Sequence, residues 1–160
     1  MKHTISVLVE NQPGVLARIS GLFSARGYNI TSLAVGETEI SDVSRMTIVV
    51  DGDNRVLEQI TKQLNKLVDV LKVIDFTKEK HIERDLALIK VNCVNARRKE
   101  LLDIVKIFRA KVVDVNPKFL IIEMVGTEDK IAALVDNFKS FGIIEMVRTG
   151  TIAVTRGKSR

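Results

Sequence analysis

One order of periodicities occurs twice in this chain, and it restricts the possible folds more than any other feature. "HTISVLVE" places Ile5, Val7 and Val9 on one face and Thr4, Ser6 and Leu8 on the other, the two-residue alternation of a strand. After Pro13-Gly14 the apolar positions change to Val15, Leu16, Ile19, Leu22 and Phe23, a helical stripe that Gly27 is placed to end. "YNITSLAVGE" and "SRMTIVVDG" read as two strands around a polar turn at Glu39 to Asp42. "DNRVLEQITKQLNKL" reads as a helix capped by Asp53, with Val56, Leu57, Ile60, Leu64 and Leu67 inward, and "VDVLKVIDF" as a closing strand.

The same order then returns. After the charged stretch "TKEKHIERD" come a strand "LALIKVNCV", a helix "RRKELLDIVKIFRA", a strand pair "KVVDVN" and "FLIIEMVG" turned at Asn116-Pro117, a helix "EDKIAALVDNFKSF" and a final extended segment "GIIEMVRTGTIAV". The repeat of about 83 residues is too long for a solenoid array and suits two domains of one architecture. The expectation is an α+β protein of two tandem ferredoxin-like βαββαβ domains, residues 1-77 and 86-160, joined by a charged linker at 78-85. Right-handed crossovers put both helices of each domain on one face of a four-stranded antiparallel sheet, so the other face lacks helical cover. "FLIIEMV" is apolar at nearly every position, as a strand buried on both faces would be, and "MTIVV" carries Met46, Ile48, Val49 and Val50. A homodimer or larger assembly is therefore predicted, the alternative being that the two domains shield each other.

Composition removes several classes of function. The net charge of +5 divides unevenly: residues 1-77 carry 8 Lys/Arg against 9 Asp/Glu, and residues 78-160 carry 17 against 11. A basic half attracts nucleic acid, anionic membrane or an acidic protein surface, or is simply a solvated face. No apolar run approaches the roughly 18 residues of a spanning helix, and the first residues turn polar before a signal-peptide core forms, so a cytoplasmic protein without a membrane role is expected. One Cys, Cys93, excludes an intramolecular disulfide, and "LIKVNCV" suggests a buried thiol. Two His and one Cys are too few for a typical protein-built transition-metal site, and Asp51-Gly52-Asp53-Asn54 is better read as a turn and helix cap than as a calcium loop. No Gly-rich phosphate loop is present. Neither His3, at the N-terminus, nor His81, in the charged stretch, suggests an enclosed catalytic pocket. An RNA-recognition motif shares the βαββαβ order but stacks bases on aromatics from its central strands, and "HTISVLV" and "SRMTIVV" have none, so no nucleic acid partner is expected.

The densest local signal is "ENQPGVLARISGLFSARGYNI", residues Glu10 to Ile30. A Pro-Gly turn running straight into a helix leaves the first backbone amides free at the positive end of the helix dipole, where a carboxylate can sit. Asn11 and Asn29 flank this region and each offers a donor and an acceptor, so together they can recognise the zwitterion of a free amino acid. Gly14 lets the backbone approach closely, and Val15, Leu16 and Ile30 can line an apolar pocket. A purely structural reading stands beside this one: Asn11 ends a strand, Pro-Gly starts a helix and Asn29 occupies a turn.

"NQPGVLARISGLFSARGYNI", "SRMTIVV" and "LEQITKQLNKLVDVLKV", followed by "RDLALIKV", "KIFRAKVVDV" and "RTGTIAVTRG", resemble in order the small regulatory subunits of acetolactate synthase (acetohydroxyacid synthase), whose first domain is an ACT domain. The resemblance covers nearly the whole chain. It implies a noncatalytic subunit that binds and activates the catalytic subunit and confers feedback inhibition by a branched-chain amino acid, usually valine. Thiamine diphosphate, magnesium and FAD would belong to that catalytic partner, with no cofactor in this chain. It further implies an effector bound between two ACT domains paired side by side, at positions matched here by Asn11, Gly14, Val15, Leu16, Asn29 and Ile30. Many ACT domains carry Asp where Asn11 stands, so a carboxylate that would pair with the effector's ammonium is absent. The alternative is an ACT regulator of a different enzyme. The basic second domain, with Arg97, Arg98 and Lys99 beginning a helix, is a candidate for docking the catalytic subunit.

Overall fold

The computed structural model describes residues 1–157, and the chain forms two compact units: Met1–Ile82 with the segment from Thr151 onward, and Glu83–Gly150. In the first, β1 (Lys2–Glu10), α1 (Val15–Ala25), β2 (Ile30–Glu37), β3 (Val43–Asp51), α2 (Asn54–Asn65) and β4 (Val70–Asp75) follow the expected order. The strands are antiparallel and lie in the order β2-β3-β1-β4. Period-two alternation sends Ile5, Val7 and Val9 of β1 and Met46, Ile48 and Val50 of β3 to the same side. There they form one core with Val15, Ile19 and Phe23 of α1 and Leu57, Ile60 and Leu64 of α2.

Both helices of this unit are delimited by the signals seen in the sequence. Gly27, at φ +70, follows the C-terminus of α1, and the Tyr28 N–H returns to the Phe23 carbonyl at 3.0 Å, the bond that closes a left-handed helix end. Asp53 caps α2 by accepting from the Val56 N–H at 2.9 Å. Asp53→Ala should lower stability by about 1 kcal/mol, since an orphan amide of the first turn loses its partner. Urea unfolding of the purified chain would measure this, and an unchanged midpoint would mean that water serves the amide as well.

The second unit repeats the plan with β5 (His81–Asn92), α3 (Arg98–Ile107), β6 (Lys111–Val115), β7 (Phe119–Gly126), α4 (Glu128–Phe138) and β8 (Ile143–Arg148), in the strand order β6-β7-β5-β8. Its core joins Ala87, Ile89, Val91 and Cys93 to Leu120, Ile122 and Met124, under Leu101, Val105, Ile131, Leu134 and Phe138. Cys93 is buried, as its neighbours suggested.

Three expectations need correction. The linker predicted at 78-85 is half strand, because β5 already begins at His81; the alternation Ile82, Arg84, Leu86 against Glu83, Asp85, Ala87 is masked by charge. The compact second unit spans Glu83–Gly150. Gly150 at φ +84 breaks the apolar run, and β9 (Ile152–Thr155) pairs with β5, with the Thr151 N–H donating to Ser32 Oγ at 3.0 Å and the Arg156 N–H to the Lys80 carbonyl at 2.8 Å. The helix-free face of the first sheet is not bare: Ser6, Thr47 and Val49 on it are buried, so this face alone does not demand a second copy. Finally, β7 is buried on one face only. Leu120, Ile122 and Met124 point to the helices, while on the other face Phe119, Ile121 and Glu123 are half-buried and Val125 is 55% exposed.

Candidate effector site

The segment from Asn11 to Ile30 surrounds α1. Gly14 takes φ +84 and ψ −7 at the N-cap position, a left-handed conformation that glycine adopts at little cost, and an added Cβ would meet nothing within 4 Å. The glycine is there for its backbone path and for the open space above it. No side chain caps α1 and no acidic residue lies in its first turn. The Val15 N–H makes a long bond to the Gln12 carbonyl, 3.4 Å, and the first regular helical bond is from the Arg18 N–H to the Gly14 carbonyl, 3.0 Å. Leu16 and Ala17 therefore present amides without a partner among the described residues, at the positive end of the helix. Arg18 is tied to Asp69, so the groups at this helix end open to an anion are these amides.

Asn11 stands beside that end. Its backbone N–H donates to the Asp42 carbonyl at 2.8 Å, and its Nδ2 donates to Glu37 Oε1 and to the Ser41 carbonyl, both at 3.1 Å. Oδ1 is left as an acceptor with no partner among the described residues. Leu16 is 45% exposed and can supply apolar surface, as can Val35 of β2 at 46%. Val15 cannot do so with its side chain, which is 3% exposed and part of the core. What Val15 offers is its backbone.

Asn29 and Ile30 lie elsewhere. Residue 29 follows the C-terminus of α1, whereas Asn11 and Gly14 precede its N-terminus, and an 11-residue helix is about 16 Å long. The sheet order β2-β3-β1-β4 also puts a whole strand between β1 and β2. The expectation that Asn11 and Asn29 flank the helix start together therefore fails within one chain. Asn29 is exposed and Ile30 half-buried, at the start of a strand whose outer edge pairs with no other strand among the described residues. The six expected residues fall into two groups, Asn11 to Leu16 at one end of the β2 edge and Asn29-Ile30 at the other.

Sequence reasoning missed Glu37 and Val35. Both belong to the helix-side face of β2 near the start of α1, since Val35 pairs with Met46 and Glu37 with Ser44. Only the β2–β3–β1 register, which places Val9 and Glu37 on either side of Ser44, brings Glu37 to Asn11, 26 residues away in the chain. A recess of about 290 Å³ lined by Leu8, Glu37, Thr38, Ile40, Val43 and Arg45 shares Glu37 with the Asn11 group. A larger recess of about 490 Å³, between α2 and Asp75, Thr77 and Lys78, contains none of the expected residues.

The remaining candidates are occupied structurally. His3 is buried rather than loose, with Nε2 2.9 Å from the Gly52 carbonyl and Nδ1 3.3 Å from Thr77 Oγ1. His81 lies in β5 with its ring 4.9 Å from that of Phe76. No cluster of His, Cys, Asp and Glu able to hold a metal occurs among the described residues. In the basic cluster, Arg97 stacks on Phe141 at 3.9 Å, donates to the Ser140 carbonyl at 3.0 Å and pairs with Glu100, whose carboxyl this hydrogen bond holds below the usual carboxylate range. Arg98 donates to the Asn116 carbonyl at 2.7 Å. Two of the three cations expected to meet a partner thus hold their own unit together.

Comparison with known proteins places both units. The family model described as "AHAS small subunit-like ACT domain" matches residues 5–72, and that described as "Small subunit of acetolactate synthase" matches residues 84–157. The probable acetolactate synthase small subunit of Archaeoglobus fulgidus is 53% identical over 160 residues, covering all of both chains. The acetolactate synthase small subunit of Mycolicibacterium smegmatis is 52% identical over 97% of this chain and 91% of that protein. The crystal structure of the acetolactate synthase small subunit from Thermotoga maritima superposes with a TM-score of 0.89 at 40% identity, covering 99% of each chain. With both halves matched in order and the likeness running the length of the chain, this protein belongs to the acetolactate synthase small-subunit family and carries that family's ACT domain in its first unit.

Proposed function

We propose that this chain activates the acetolactate synthase catalytic subunit and makes it sensitive to feedback inhibition by a branched-chain amino acid, valine foremost, in the cytoplasmic synthesis of valine, leucine and isoleucine. The observation that carries this reading is the open N-terminus of α1. Uncapped amides at Leu16 and Ala17 suit a carboxylate, Asn11 Oδ1 suits an ammonium, and Leu16 and Val35 offer apolar surface for a branched side chain.

The split site has a geometric remedy. β2 is an edge strand, and two chains that paired their β2 edges antiparallel about a two-fold axis would bring the Ile30 end of one strand to the Glu37 end of the other. Asn29 and Ile30 of one copy would then face Asn11, Gly14 and Leu16 of its partner, giving a homodimer with two equivalent sites. An effector bound there shifts the placement of the two ACT domains, and a differential affinity of about 1 to 3 kcal/mol between two placements is enough for regulation. Thiamine diphosphate, magnesium and FAD belong in this reading to the catalytic subunit, where pyruvate condenses with a second 2-oxo acid and carbon dioxide leaves. This chain contributes binding and control, with no catalytic site of its own.

The test is reconstitution. Mixing the chain with the acetolactate synthase catalytic subunit of the same source should raise its specific activity, and L-valine should lower the gain while D-valine does not. Calorimetric titration of the small subunit alone, concentrated enough to stay dimeric, should show saturable binding of the L form. A chain that binds valine but leaves the synthase unstimulated would transfer this ACT domain to another enzyme.

A further inference from the structure

The orientation of Asn11 is set from within the first unit. Both hydrogens of its amide are engaged, by Glu37 Oε1 and by the Ser41 carbonyl, so only Oδ1 can turn toward a ligand. Glu37 ends β2, is exposed, and has no cation paired with it among the described residues. Its place is fixed by register, because Glu37, Ser44 and Val9 form one row across β2, β3 and β1 on the helix-bearing face, two residues before Asn11. A carboxylate with one oxygen on the Asn11 amide and the other unpartnered therefore lies beside the end of α1 that accepts anions. Opposite charges suited to the two ends of a zwitterion are arranged in one half-site.

The geometry points to Glu37 as the residue that completes recognition of the effector's ammonium. It supplies the negative charge that Asn11, as an amide, lacks, and its hydrogen bond to Nδ2 holds Asn11 Oδ1 outward as a second acceptor. Charge-assisted bonds are about twice as strong as neutral ones, so the pair restores what an aspartate at position 11 would provide alone. The ligand class follows: a free α-amino acid rather than the 2-oxo acid of the same carbon skeleton, which has no ammonium for Glu37 to meet. This inference rests on the site proposed above.

The two ideas separate experimentally. Glu37→Gln keeps an acceptor for Asn11 Nδ2 and removes only the charge, and because Glu37 is exposed the urea midpoint should not move. The dissociation constant for L-valine, measured by titration of the full-length dimer, should rise about tenfold. The double variant Asn11→Asp, Glu37→Gln returns a carboxylate to the same spot and should recover binding to within about threefold of the parent. Unchanged affinity in Glu37→Gln would overturn the role of Glu37 and leave the site standing. Weakened binding with no recovery in the double variant would also overturn it, since the glutamate would then act through the fold rather than through charge. If the parent chain binds none of L-valine, L-leucine and L-isoleucine, the site itself falls and Glu37 with it.

Discussion

Gly14→Asp should yield a small subunit that still folds and still activates the synthase but no longer responds to valine. Three features of α1 lead to this. Nothing lies within 4 Å of a Cβ at position 14, so the new side chain meets open space within the chain. The φ of +84 strains any L residue by about 1 to 2 kcal/mol, with Asp among the more tolerant types, which the fold can absorb. The carboxylate, however, arrives where the proposed site would hold the effector's own carboxylate and competes for the Leu16 and Ala17 amides. Two like charges about 4 Å apart in a partly desolvated site repel by about 4 kcal/mol, equivalent to more than a hundredfold loss of affinity. Gly14→Ala carries the same backbone strain without the charge and should lose no more than about tenfold. Valine inhibition curves for the reconstituted enzyme would compare the two. Equal losses in the Asp and Ala variants would mean that backbone conformation, and not anion recognition, governs the site.

The same helix illustrates what the sequence can and cannot disclose. Val15, Ile19 and Phe23 recur at helical spacing, Gly14 and Gly27 bracket them, and Asp53 precedes the next apolar stripe, so the element order of both units was legible from local periodicity and caps. What periodicity does not contain is the order of strands in the sheet. Asn11 and Asn29 looked like neighbours because both adjoin α1, yet β3 lies between their strands and the helix separates them along its length. Glu37 was invisible for the converse reason: it is 26 residues from Asn11 and reaches it only through the β2–β3–β1 register. The division of the last segment was hidden in a third way. "RTGTIAV" continues the apolar character of β8, and nothing local announces that Gly150 separates β8 from β9 or that Thr151 meets Ser32. In each case the local physics was read correctly and the long-range pairing was not in the string.

The two ends of the second compact unit are fastened by an ion pair with a buried carboxylate, and removing the pair's cation should cost that unit more stability than removing its anion. Asp85 lies near the start of β5 and Arg148 at the end of β8, so the pair joins the two points where the chain enters and leaves the unit. The Asp85 side chain is 1% exposed; it accepts from Arg148 Nε at 3.1 Å, from Arg148 Nη2, and from Thr149 Oγ1 at 3.2 Å. Thr149 in turn pairs with Leu86 through its N–H and its hydroxyl, at 3.0 and 3.1 Å, so the carboxylate is held inside a small closed network. Arg148→Ala would leave the carboxylate buried with only a hydroxyl for company, a fault that costs about 3 to 5 kcal/mol in fully buried pairs. Because the Arg148 side chain is 32% exposed, water can reach part of the vacated site, and a loss of about 2 to 3 kcal/mol is expected. Asp85→Ala should cost less, since a freed arginine at that exposure can turn its charge to solvent. The double variant should be nearly as stable as Asp85→Ala alone, because neither charge is then stranded. Urea unfolding would rank the three proteins, with amide exchange of β5 and β8 reporting where protection is lost. Equal destabilisation by the two single changes would show that the pair acts through its mutual attraction rather than through the burial of Asp85.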